Sequence, residues 1–413
     1  MAVDIIRGDC MERLKELADG SVHCCITSPP YFGLRSYDTA KWEGGRKDCD
    51  HIVDRLQYAA SAKQLSNHGS GSKQAMSVCP QCGARRVDFQ IGREKSVEQY
   101  IARLVEVFRE VRRVLHPTGL LWLNLGDSYN DKELMGTPFK VAFALQDDGW
   151  HLRSALPWLK RSAMPESVSD RPSSAVEYVF MFAKSKKYYF DMEAVKVPHK
   201  GSSIDRWREG GKDTDSTKYW KEKPDTSVGN LRNGSTPLRD GGRSMRNSDF
   251  FFDSWQGMYE ENGNPLALVV NTHSCHEMHF ATFPQKLVSP MVLSGTSERG
   301  CCPTCLSPWQ RKVEHENAVL ELSPRAKAQR ELGYTTCSSG KLVSPARSRT
   351  IGWEQSCRCK KHEPIRCRVL DPFGGIGTTG VVAESLGRDS IMIELGEKYV
   401  EIMRKQTSQG TLL

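Results

Sequence analysis

The chain has 413 residues, 38% of them hydrophobic and 26% charged, which is enough for one sizeable core with additions or for two modest domains. It has no run of 18 apolar residues and opens Met-Ala-Val-Asp-Ile-Ile-Arg, so neither a membrane span nor a signal peptide is expected, and a cytoplasmic location is. The net charge of +8 is too modest to name a partner, and 14 cysteines in such a chain point to metal rather than to a secreted disulfide framework.

Residues 2–9 and 22–27 read as strands, with a short helix over 11–17 and a turn at Asp19-Gly20 between them. The second strand runs into Thr27-Ser28-Pro29-Pro30-Tyr31. Pro29 and Pro30 have no N–H and fix their φ angles, so the backbone neither pairs onward nor flexes there. Ser28 and the carbonyls beside Pro29 offer acceptors, and Tyr31 offers a flat face. Such a slot suits a planar ring bearing an amino group, as in an extruded nucleobase. A strand-ending turn with a buried tyrosine is the plainer alternative.

Residues 94–115 predict an amphipathic helix capped by Ser96, with Ile101, Leu104, Val105, Phe108, Val111 and Leu115 as its apolar stripe. His116-Pro117-Thr118-Gly119 ends it, and 120–125 reads as a buried strand. A helix over 139–145 follows, then a strand over 178–183 expected to pair with 188–191 as a terminal antiparallel hairpin. Another helix is expected over 285–294.

Residues 369–380 read Val-Leu-Asp-Pro-Phe-Gly-Gly-Ile-Gly-Thr-Thr-Gly, a strand, a glycine-rich turn and a helix start. Gly374, Gly375 and Gly377 let backbone approach a ligand closely. No Gly-Lys-Ser/Thr follows, so this is not a phosphate loop. Glu394 ends a short apolar strand about 20 residues later, the spacing of a ribose-hydroxyl acceptor in doubly wound folds. A final helix is expected over 395–405. The alternation predicts an α/β fold, a doubly wound and mostly parallel sheet, with both motifs at strand ends and therefore able to share a cleft.

With both motifs present, the chain resembles the DNA amino-methyltransferases that modify adenine N6 or cytosine N4, over roughly residues 1–195 and 265–405. The catalytic motif comes first and the glycine loop last, an order similar to the permuted β class. The resemblance implies S-adenosylmethionine as methyl donor and duplex DNA as partner. It implies Ser28, Pro29, Pro30 and Tyr31 as the catalytic residues. It places Asp9 and Cys10, in Ile5-Ile6-Arg7-Gly8-Asp9-Cys10, beside the donor's adenine. Phe283, in His279-Phe-Ala-Thr-Phe-Pro284, would precede the methionine-binding helix. Asp371, Pro372, Phe373, Gly374, Gly375, Gly377 and Thr378 would cradle the donor, with Glu394 on its ribose. Trp158-Leu-Lys160 through Phe180-Met-Phe-Ala-Lys184 resembles the base-pocket region. A homodimer is also implied.

Two insertions carry cysteine pairs. Cys79-Pro-Gln-Cys82-Gly is a knuckle that Cys49 and His51 would complete, and Cys302-Pro-Thr-Cys305 would join Cys357-Arg-Cys359. Each set supplies four tetrahedral positions, so two structural zinc sites are expected. Cys301 could stand in for Cys302, and His362 for one thiolate; Cys367 is a spare candidate or a core thiol. Residues 196–250 hold 12 Lys/Arg against 8 Asp/Glu, half the net charge. A basic, polar stretch of this kind suits phosphate and base contacts.

The expected organisation is a catalytic half (1–195, with an insertion at 42–92), a target-recognition insert (196–264) and a cofactor-helix segment (265–300). A zinc insertion (301–362) and a cofactor-binding half (363–413) complete it. The competing functions are methylation of RNA or of a protein amine, and a catalytically silent zinc-containing DNA-binding protein.

Overall fold

A computed structural model describes residues 3–33, 41–46, 48–50, 78–87, 90–160, 168, 170–171, 174–196, 239–240, 284–316, 319–322, 340–344 and 346–408. His51 and Phe283 lie outside the described residues, as does nearly all of the 196–264 insert.

The centre is a seven-stranded sheet. Its strands are β1 (Val3–Arg7), β2 (Val22–Thr27), β3 (Leu115–Leu125), β4 (His151–Leu159), β5 (Val176–Ala183), β8 (Arg368–Asp371) and β9 (Asp389–Glu394), while β6 (Gln310–Glu316) and β7 (Ala346–Glu354) pair outside it. The order across the sheet is β1-β9-β8-β2-β3-β5-β4. Neighbours are parallel from β1 through β3, and β5 runs against both β3 and β4. The two ends of the chain therefore interleave, with β8 and β9 from the C-terminal part lying between β1 and β2.

Alternation along the central strands feeds two cores. Cys25, Leu121 and Leu123 face α1 (Cys10–Lys15), α2 (Val97–Val114) and α3 (Thr137–Asp147). Cys24, Ile26, Leu120 and Trp122 face α4 (Gln285–Gly295) and α5 (Thr378–Ser385). Helix α6 (Glu397–Ser408) follows β9.

Ser96 caps α2 as expected, its Oγ accepting the Gln99 N–H at 3.3 Å. The buried stripe is Val97, Tyr100, Leu104, Val107, Phe108, Val111 and Val114, rotated from the predicted one, so that Ile101 and Val105 sit at its edge. The helix gives way to β3 at Leu115, before Pro117, which is tolerated because it lies exposed where the β2–β3 register shifts.

The expected hairpin needs correction. Residues 188–191 form no strand; besides β3, β5 pairs antiparallel with β4, through Leu156↔Val179 and Trp158↔Glu177. Strand β4 takes that place because it brings Trp158 and Leu156 onto the α4 core.

No helix among the described residues is long and apolar enough to cross a membrane. Leu121 is fully buried at the sheet's middle, so Leu121→Ala should lower unfolding free energy by about 2–5 kcal/mol in denaturant melts. A loss below about 1 kcal/mol would contradict this packing.

Candidate active site

Strands β2 and β8 are parallel neighbours, paired at Val369↔Cys24 and Leu370↔Cys25. Their carboxyl ends carry Ser28-Pro29-Pro30-Tyr31 and Asp371-Pro372-Phe373-Gly374-Gly375, so the two motifs emerge side by side. A hydrogen bond locks them: Thr27 Oγ1 donates to Asp371 Oδ1 at 2.6 Å, with both residues buried. Thr379 Oγ1 donates to the other oxygen at 2.8 Å, and the Phe373 N–H donates to Oδ1 at 3.1 Å. Burial pushes the Asp371 carboxyl up to about 6, and these three donors oppose the rise.

The glycine loop turns where the chain needs positive φ. Gly375 sits at +52° and Gly377 at +93°. A Cβ on Gly375 would meet only the Phe373 carbonyl, at 3.9 Å, so that side of the loop is open. A Cβ on Gly377 would strike Met403 Cγ at 2.5 Å. Glu394 holds the loop with one oxygen, accepting the Gly375 N–H at 2.8 Å, and the turn after β9 with the other, accepting the Gly396 N–H at 2.7 Å. Its pKa is raised, first by burial. Pro372 is buried, and Thr378 opens α5. Asp9 caps α1, its Oδ1 accepting the Met11 N–H at 2.9 Å, and Cys10 is packed in the core, where burial pushes its thiol up to about 12.

The serine–proline segment is clamped from two sides. Tyr100 Oη donates to the Pro30 carbonyl at 2.9 Å, so that carbonyl is engaged rather than free. The Gly33 N–H donates to Gly92 O at 2.9 Å, and a Cβ on Gly92 would strike the Tyr31 carbonyl at 2.8 Å. The Tyr31 ring lies over Gly126, where a Cβ would come within 2.6 Å of Cε2.

Three polar residues join this motif: Asn124 and Glu177, which sequence reasoning did not name for the site, and Lys160, which it placed in the base-pocket region. Tyr31 Oη donates to Glu177 Oε2 at 2.6 Å. Asn124 Nδ2 donates to Tyr31 Oη at 2.8 Å and to the same Glu177 oxygen at 2.8 Å. Lys160 Nζ pairs with Glu177 Oε1. Ser28 Oγ lies 3.1 Å from Tyr31 Oη. Burial, and then Glu177, hold the Tyr31 hydroxyl well above the usual phenol range. Asn124 Oδ1 is buried without a partner among the described residues. The available signal was an amide and an acid in otherwise apolar strands, Asn124 within 120–125 and Glu177 before Tyr178-Val179-Phe180.

Nine of the described cysteines, with His23, fall into three groups within each of which the ligand atoms lie within 4.8 Å of one another. Cys302, Cys305, Cys357 and Cys359 form the expected set of four; His362 is exposed and outside it. Cys49, Cys79 and Cys82 form the second, with Gly83 turning at φ +74° as the knuckle requires. Cys301 joins Cys367 and His23 instead. His23 Nε2 donates to Leu306 O at 2.8 Å while its Nδ1 accepts the Arg368 N–H at 3.0 Å, so both ring nitrogens are engaged and the third group is a hydrogen-bonded core junction.

The raised Asp371 pKa has a definite pH consequence. The folded chain keeps that proton at pH values where the unfolded chain has lost it. The contribution is therefore complete below about pH 4 and disappears as pH rises through about 6. The unfolding free energy of wild type minus that of Asp371→Asn should fall by about 2–3 kcal/mol from about pH 4 to about pH 8 in denaturant melts. A gap that stays flat with pH would contradict the burial.

Comparison with known proteins finds a matching family model and several relatives. A family model, described as DNA methylase of the N6/N4 kind, matches residues 22–302 and 366–405. The type II methyltransferase M.XycI of Xanthomonas campestris pv. cyanopsidis is 34% identical over 229 residues, 48% of this chain and 60% of that protein. M.Cfr9I of Citrobacter freundii is 30% identical over 427 residues, covering 96% of this chain and 85% of the relative. Among solved structures, the cytosine-N4-specific PvuII DNA methyltransferase is 14% identical with a TM-score of 0.45, covering 98% of this chain and 86% of that one. With a family match over more than half of its length, the chain belongs to the N6/N4 DNA methylase family.

Proposed function

We propose that the chain transfers a methyl group from S-adenosylmethionine to the exocyclic amine of a base extruded from duplex DNA, adenine N6 or cytosine N4. The observation that carries this reading is the Thr27–Asp371 bond, which puts an acceptor-rich, aromatic-walled turn beside an open glycine loop. The loop suits the donor because Gly375 leaves space and Glu394, though holding two N–H groups, keeps lone pairs for ribose hydroxyls. Asp371 and Phe373 would border the donor's methionine part, Pro372, Gly374, Gly377 and Thr378 would shape the turn, and Asp9 and Cys10 would flank the adenine. When bound, the donor supplies an electrophilic methyl on a sulfonium.

The amine is the obstacle, since its lone pair is delocalised into the ring. Ser28 Oγ and the Pro29 carbonyl accept the two amine N–H bonds and draw the nitrogen toward tetrahedral geometry. Pro30 fixes the turn, and Tyr31 walls the base. Most of the rate comes from positioning and electrostatic complementarity. The family's resemblance points to a homodimer. Phe139 and Phe143, whose ring centroids lie 6.5 Å apart at 37% and 57% exposure, provide an apolar face of the kind a second copy covers. DNA contact is assigned to the 196–264 insert on charge and composition alone.

The four-thiol group at Cys302, Cys305, Cys357 and Cys359 has the donor set of a closed structural zinc site. Cys49, Cys79 and Cys82 supply three more thiols; the sequence spacing offers His51, outside the described residues, as the fourth ligand. Gly300, whose Cβ would strike Ile365 O at 2.1 Å, lets the two ends of the first of these insertions close on each other, where Cys301 and Ile365 pair. Native mass spectrometry should find two zinc ions per chain, and Cys357→Ser should retain one with a lower melting temperature. Metal-free protein with an unchanged melting temperature would contradict this assignment.

Labelled donor incubated with unmodified chromosomal DNA should yield N6-methyladenine or N4-methylcytosine on nucleoside mass spectrometry, with none on RNA. Tyr31→Ala should lower turnover on the order of 100-fold while donor affinity stays within about threefold. Transfer to RNA or to protein alone would overturn the reading.

A further inference from the structure

We infer that the Lys160–Glu177 pair sets the direction of the hydrogen bonds at the catalytic motif and takes up the proton that the methylated amine releases, by way of Ser28 and Tyr31; this rests on the amino-methyltransferase reading above. Glu177 is only 8% exposed, on a strand of otherwise apolar residues. Its charge is met by Lys160 at Oε1, and its Oε2 receives Tyr31 and Asn124.

The direction follows by elimination. A carboxylate has no proton to give, so the single proton of Tyr31 Oη points at Glu177, 2.6 Å away. Tyr31 Oη is then an acceptor, filled by Asn124 Nδ2 at 2.8 Å and by Ser28 at 3.1 Å. Ser28 must therefore be the donor in its contact with Tyr31. Asn124 reaches Ser28 Oγ only at 3.4 Å, so the serine lone pairs are left for the pocket. An acceptor is what an exocyclic N–H needs. With the order reversed, the serine proton would bind the very lone pair that must attack the methyl group.

The same chain gives the proton an exit. As the N–C bond forms and the donor's S–C bond breaks, the nitrogen becomes cationic and holds one proton more than the product. That N–H bond breaks with its electrons staying on nitrogen, and the proton passes to Ser28 Oγ. The proton of Ser28 moves to Tyr31 Oη, and that of Tyr31 to Glu177 Oε2. The amine ends neutral, both hydroxyls are restored, and Glu177 ends as a carboxylic acid that returns its proton to water after product release. Burial keeps Tyr31 from resting as a phenolate, so it serves as a relay and not as a sink. Glu177 touches no substrate and is a positioning and relay residue. A purely structural reading would make the ion pair a clamp for the β4–β5 edge, where the Lys160 N–H also meets Ala175 O at 2.7 Å.

The experiment uses full-length protein, labelled S-adenosylmethionine and amplified, unmodified chromosomal DNA. Single-turnover methyl transfer should fall about 100-fold or more in Glu177→Gln and in Tyr31→Phe, with donor affinity within about twofold of wild type. Glu177→Asp should recover part of the rate. The Glu177→Gln/Tyr31→Phe double variant should be no slower than the slower single variant, as for two links of one chain. A readout independent of donor and DNA is the ultraviolet resonance Raman signal of Tyr31, taken as wild type minus Tyr31→Phe. It should have the strong-donor form in wild type and lose it in Glu177→Gln. A Glu177→Gln rate within about threefold of wild type, a parallel loss of donor affinity, or full additivity in the double variant would overturn the inference. So would a Raman signal indifferent to Glu177, which is decisive even if a variant is too unstable for kinetics. Wild-type protein that transfers nothing to DNA would instead overturn the reading of the function.

Discussion

A single buried carboxylate joins the two ends of this polypeptide. Asp371 accepts a hydroxyl from Thr27, a hydroxyl from Thr379 and the Phe373 N–H, binding the end of β2, the glycine loop and the start of α5 into one piece. Thr27 and Asp371 are 344 residues apart in sequence. Hydrogen bonds to a charged group are worth about 1.5–3 kcal/mol each, and an unmet buried carboxylate costs more than that. The interleaved strand order β1-β9-β8-β2 makes the contact possible, because it sets β8 directly beside β2. Everything proposed about function depends on this junction, since it gives the amine slot and the open glycine loop a common wall.

Three carboxylates act at three levels around it. Asp371 holds the scaffold. Glu394 ties the glycine loop, through Gly375, to the turn after β9, through Gly396. Glu177 accepts from Tyr31, and its charge is met by Lys160, just past the end of the neighbouring strand. Strand β5 thus supplies the acid that accepts from Tyr31, and the residue just past the edge strand β4 supplies the cation that pairs with that acid. Gly126 completes the arrangement, because any side chain there would displace the Tyr31 ring.

Much of this was legible from residue order. Prolines that stop a strand, glycines that open a helix and an acid about 20 residues further on are local signals, set by backbone sterics and not by distant packing. The stripe of α2 was read less well, because whether Tyr100 or Ile101 faces inward depends on how the helix rotates against α1 and α3. The hairpin was misread for a related reason: 176–183 has two candidate partners of suitable pattern, and tertiary packing of Trp158 and Leu156 selects β4. Cys301 and Cys302 are indistinguishable by spacing. They point to opposite sides of one strand-like segment, so that one joins the four-thiol group and the other packs beside His23. Glu177 was hidden by its neighbours' apolarity, which was itself the clue, since an acid is rarely buried without a partner.

The most direct measurement of a shared pocket is the separation between Ser28 Oγ and the donor's transferable methyl carbon in a complex of the full chain with S-adenosylmethionine. One pocket built from both chain ends predicts about 6 Å or less, within reach of a base amine placed between them. A methyl carbon more than about 15 Å from Ser28, with the donor ordered on Gly375 and Glu394, would mean that the two motifs serve separate sites.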